Sequence, residues 1–122
     1  MSDDRQSIRP SVITEDSAVS DAERFQNEVL RPILKLQHDL LAAVFLHYMA
    51  KRKIAFANLP HPKQLEQIAQ SLSKDNRLRM TLLGAVIGHF TTEEYQTFRA
   101  HESELTRRTM EMMAVRLGDV VK

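Results

Sequence analysis

No cysteine occurs among the 122 residues, which excludes a disulfide framework and a thiol nucleophile and leaves the chain compatible with a reducing cytoplasm. Only 3 glycines are present, so phosphate-cradling loops, nucleophile elbows and dinucleotide fingerprints are absent. An excess of charge is missing too: 17 basic side chains against 16 acidic ones leave a net charge of +1. That balance gives no reason to expect nucleic acid, an anionic membrane or an acidic substrate. The longest apolar runs, Leu40 to Leu46 and Leu82 to Gly88, fall far short of the roughly 18 to 20 residues that span a bilayer. The opening MSDDRQSIRP lacks the apolar stretch of a secretory signal, so a cytoplasmic location is expected.

What is present is the composition of one ordinary globular domain, 43% hydrophobic and 27% charged, long enough to bury a core without staples. Residues 1–19 show neither helical nor strand periodicity and read as a disordered tail before a helical domain at 20–122. Ser20 with Glu23, and Thr91 with Glu94, have the capping-box spacing, and Asp75 or Asn76 is a further N-cap. Between these starts, apolar residues recur at three- and four-residue intervals. Two rows run down the first segment, one through Phe25, Val29, Ile33, Leu36, Leu40 and Val44, the other through Leu30, Leu34, Leu41, Phe45 and Tyr48. The pattern predicts helices near 20–53, 62–73, 75–90 and 92–117, with the first kinked at Pro32, Pro62 opening the second and Gly118 stopping the fourth. Short connections then favour an all-α, antiparallel, up-and-down four-helix bundle.

The stretch TLLGAVIG, Thr81 to Gly88, carries two glycines four residues apart. In an apolar helix such a pair suits a close helix crossing, and the third helix reads as apolar all round and enclosed by the others. The preceding segment, QLEQIAQSLSKDNRLRMTLLG, has the apolar placing of a helix-turn-helix. Its second helix offers bases only Asn76, Arg77, Arg79 and Thr81, however, which predicts at most salt-labile, sequence-blind DNA binding.

Each histidine has a bland reading beside a chemical one. His101 and Glu104 have the spacing of two metal ligands, yet nothing supplies a third, so neither metal nor cofactor is expected. His47, beside Tyr48, suits a buried, hydrogen-bonded histidine. Along the inner face of the fourth helix, Tyr95, Phe98, Leu105 and Met112 leave His101 or Glu102 and Arg108 or Thr109 near the apolar stripe. Polar groups there must be paired, wet or covered by another molecule. If a ligand site exists, its expected lining is therefore His47, Tyr48, His101, Glu102 and Arg108, with the methionines 110, 112 and 113 an adaptable apolar cluster.

The phrases FQNEVLRPILKLQHDL and IGHFTTEEY are similar to short helical bacterial proteins of no assigned activity, a resemblance that spans Phe25 to Leu117. It implies a helical fold and brings no catalytic motif, so no functional residue is carried over. The expectation is a non-catalytic helical interaction module that self-associates as a homodimer, since the wide apolar faces exceed what two short helices cover. A ligand-binding or enzymatic pocket stands second and a DNA-binding regulator third.

Overall fold

Three helices start at side chains that hold their free amides. In the computed structural model, which describes residues 20–120, the Ser20 hydroxyl accepts from the Glu23 amide at 3.1 Å. The Asp75 carboxylate accepts from the Leu78 amide at 3.0 Å, and Thr91 with Glu94 closes a full capping box. In order, the elements are α1 (Asp21–Phe25), a π-helical turn (Gln26–Leu30), α2 (Arg31–Leu36), α3 (His38–Lys51), a 3-10 turn (Phe56–Asn58), α4 (His61–Lys74), α5 (Asn76–Ile87), α6 (Thr92–Ala100) and α7 (Glu102–Val120). No strand occurs among the described residues, and the all-α expectation holds. The expected tail, 1–19, lies outside the described residues.

Two expected helices are each divided. Pro32 has no amide to give and its ring crowds the carbonyl one turn before it. Directly ahead of it the Arg31 amide reaches back five residues to the Gln26 carbonyl, the π pattern that lodges an extra residue in a turn. Five residues later Gln37, at φ −95° and ψ 8°, separates α2 from α3. In the fourth segment the break falls at His101, whose φ of −126° and ψ of 38° end α6. The chain then restarts as α7 and continues through Gly118, which is therefore no stop.

α7 is the hub, packing against the π turn, α3, α4, α5 and α6. Its Leu105, Met113 and Leu117 are buried. Thr109 is buried as well, and its hydroxyl donates to the Leu105 carbonyl at 2.7 Å, so it needs no outside partner. Phe25, Val29, Leu30, Ile33, Leu34, Leu41, Phe45 and Met49 meet the same core, while Leu36 and Leu40 stay exposed. Phe25, Phe90 and Phe98 form an aromatic group with ring centroids 5.5 to 6.4 Å apart. One chain thus covers most of the apolar surface on which the expectation of a homodimer rests.

The enclosed third helix is overturned. α5 buries only Leu78, Leu82 and Val86, and Met80 is 67% exposed. Gly84 and Gly88 lie on the exposed side. A Cβ on Gly84 would meet nothing within 4 Å, and one on Gly88 would meet only carbonyl oxygens of its own helix, Gly84 at 3.3 Å and Ala85 at 3.7 Å. The spacing does align the two glycines, but no helix among the described residues faces them. Close approach occurs at Gly118, where a Cβ would stand 3.0 Å from Leu65 Cδ2 of α4.

Candidate functional site

From the contact at Gly118, α4 and α7 continue beside each other and a groove of about 640 Å³ opens between them, closed at one side by α5. Its apolar floor comes from Ala69 and Leu72 of α4 and from Met110 and Ala114 of α7, with Thr106 among them. These positions share the groove because they recur at helical spacing, 69 with 72 on one wall and 106, 110 and 114 on the other. The rim carries Ser73, Glu102, Ser103 and an ion pair, Arg107 to Glu111 at 2.8 Å. Solvent on that rim leaves the pair worth about 0.5 kcal/mol or less.

Arg79 is the groove's unusual member. It projects from the second turn of α5, is half-buried, and its Nε is shut off from solvent without a hydrogen-bond partner. A guanidinium is a donor only, and leaving one buried donor unmade costs about 1 to 3 kcal/mol. An apolar floor with one converging, unsatisfied cation has the make-up of a binding surface. The sequence does show Arg79, but as a base-reading candidate; that it faces a groove depends on α7, more than twenty residues further along the chain, packing beside α4 and α5.

The five expected ligand-site residues fall in three places. His47 is exposed, so the buried, hydrogen-bonded reading fails; its ring lies edge-on to Tyr48 with centroids 6.2 Å apart. The Thr81 hydroxyl donates to the Arg77 carbonyl at 2.8 Å, so the Tyr48 hydroxyl, 3.0 Å away, donates to Thr81 and ties α3 to α5. His101 sits half-buried at the break between α6 and α7, and Glu102, beside it, lines the groove. Arg108 points elsewhere: its Nη1 donates to Gln26 of the π turn at 2.6 Å and its Nε to Glu104 at 2.9 Å. A partner subunit is therefore not needed to satisfy Arg108. Glu104 is engaged by Arg108, and no cluster of three metal-ligating side chains exists among the described residues. None of the described helices is long and apolar enough to cross a membrane.

The chain matches no family model, no curated protein and no solved structure. The geometry of the groove is accordingly the ground for a functional reading.

Proposed function

We propose that the protein is a non-catalytic docking module, a four-helix antiparallel bundle kinked at Pro32, whose groove between α4, α5 and α7 receives the apolar face of a partner helix. The observation that carries this is the unpaired Nε of Arg79 over an apolar floor. An occupant that brings a carboxylate pairs with the outer nitrogens of the half-buried Arg79 guanidinium, while its apolar side chains cover Leu72 and Met110, which is how amphipathic helices lie in grooves. Self-association belongs to the proposal only if the occupant is a helix of a second copy, because a groove is concave and two grooves do not fill each other.

Selection from a displayed library of helical peptides tests this. Binders are expected to share apolar residues at i, i+3 or i+4, and i+7, with one acidic residue. Arg79→Ala should weaken them about tenfold or more, the loss of a charge-assisted hydrogen bond, and Ala114→Arg should abolish binding by blocking the floor. Binders indifferent to both substitutions would overturn the reading. Sedimentation equilibrium tells whether the occupant is the chain itself: a mass of about twice 14.0 kDa, lost in Ala114→Arg, identifies a second copy.

A further inference from the structure

At the end of the molecule formed by α3, α4 and α5, the sequence and the fold collect positive charge. Between His47 and Thr81 the acidic residues are Glu66 and Asp75, against Lys51, Arg52, Lys53, Lys63, Lys74, Arg77 and Arg79. The overall balance conceals this because acidic residues gather elsewhere, as at Asp21, Glu28, Glu93 and Glu94 around one shallow cleft. Two tethers bring the cations together. Arg52 reaches Asp75 at 3.4 Å, setting the end of α3 against the turn between α4 and α5, and Tyr48 meets Thr81 one turn further on. Asp75 is consumed twice, by Arg52 and by the Leu78 amide. Lys51, Lys53, Lys74 and Arg77 remain exposed around it, none in an ion pair among the described residues, and Lys51 Nζ lies 5.4 Å from the centroid of the Tyr48 ring.

Helix electrostatics accounts for part of this. Lys51 and Lys74 end α3 and α4, where exposed carbonyls favour cations. Lys53 and Arg77 stand where local physics opposes them. The end of α3 is a Schellman motif: the Ile54 amide donates to the Met49 carbonyl at 2.9 Å and the Lys53 amide to the Ala50 carbonyl at 3.0 Å. Its left-handed position, φ 59°, is held by Lys53 where glycine is usual, at a cost of roughly 1 kcal/mol. Arg77 lies in the first turn of α5, which has no acidic residue, although that turn's amides favour an anion. Beyond it the exposed side of α5 carries Met80, Thr81 and Gly84, the last without bulk to hold a strand away.

We infer that this end binds the phosphate backbone of nucleic acid without reading its sequence. Exposed cations spread over the ends of three helices suit repeated phosphates more than one small anion. α5 presents only Met80 as a large apolar group here, unlike the broad apolar face by which helices lie in membranes.

Anisotropy of a labelled mixed-sequence duplex, titrated with the full chain at several salt concentrations, tests the inference. Four contacts predict a slope of log affinity on log salt of about −3 to −4. Lys51→Ala, Lys53→Ala or Arg77→Ala should each flatten it by about one and weaken binding about five- to tenfold near 0.1 M salt, equally for unrelated sequences. Lys35→Ala, an exposed cation before the start of α3 and away from this end, should leave it unchanged. Lys53→Gly separates charge from folding, since it removes the cation while relaxing the backbone: weaker binding with a raised melting temperature supports the inference. Absence of binding at low salt, or affinity untouched by the three substitutions, overturns it. Equal affinity for polyglutamate points to an acidic protein instead, and preference for phosphatidylserine vesicles to a membrane; either outcome overturns it too.

Discussion

α5 and α7 are both helices with small residues on an otherwise apolar pattern, yet they occupy opposite situations. α7 is in contact with five other elements and buries Leu105, Thr109, Met113 and Leu117 along its length. α5 buries one narrow face and shows the solvent Met80, Thr81 and Gly84. The glycine pair with the spacing of a helix crossing lies on the open helix, and the lone glycine expected to stop a helix lies inside one, in the tight contact with Leu65. Spacing along one helix fixes which residues share a face; whether that face is covered depends on the other helices.

The contrast is sharpest for a large side chain in the hub. Leu105 is fully buried, so Leu105→Ala should cost about 2 to 5 kcal/mol through lost burial and the cavity left behind. Met80→Ala on the open face of α5 should stay within about 0.5 kcal/mol. Urea midpoints of the two variants check the comparison, and similar losses would break it.

What the sequence makes legible follows the same division. Ser20, Asp75, Thr91 and Glu94 act within a few residues of themselves, and each takes part in an N-cap; Thr91 with Glu94 closes the full box, while Ser20 makes the hydroxyl-to-amide half of the expected one. The apolar rows of the first segment are equally local, and most of them are buried. The break at His101 is different. Nothing beside it forbids a continuous helix, yet His101, at φ −126° and ψ 38°, leaves the helical region there. That break moves His101 off the apolar stripe, and Arg108 is satisfied by Gln26, a residue far away in the chain. The expected ligand site disperses for this reason. The groove is hidden by the same cause, because Ala69, Arg79 and Met110 become neighbours only once three helices pack.

Gly118 offers a smaller test. A leucine there must displace Leu65, whose Cδ2 would already stand 3.0 Å from the first carbon added. Overpacking of this kind costs about 1 to 3 kcal/mol, against a gain of about 1 kcal/mol in helix propensity. Leu65 is itself partly exposed and its end can turn outward, which holds the cost to the lower part of that range. An unchanged or slightly lowered urea midpoint for Gly118→Leu is the expected result, and a clearly raised one would show that α4 and α7 do not approach there.

Gly84 should respond with the opposite sign. An added methyl group would meet nothing within 4 Å, so no packing term opposes the substitution. Alanine restricts the unfolded chain and favours the helix, together about 0.5 to 1 kcal/mol in a helix interior. For a chain of this size that corresponds to a rise in melting temperature of roughly 2 to 5 °C. Leucine at the same place should also raise it, because propensity outweighs a side chain that remains in solvent. Calorimetry of Gly84→Ala and Gly84→Leu decides between the two accounts of the pair. If both variants melt lower than the parent, a partner surface covers α5 in solution, and the open face that distinguishes α5 from α7 belongs to the isolated chain alone.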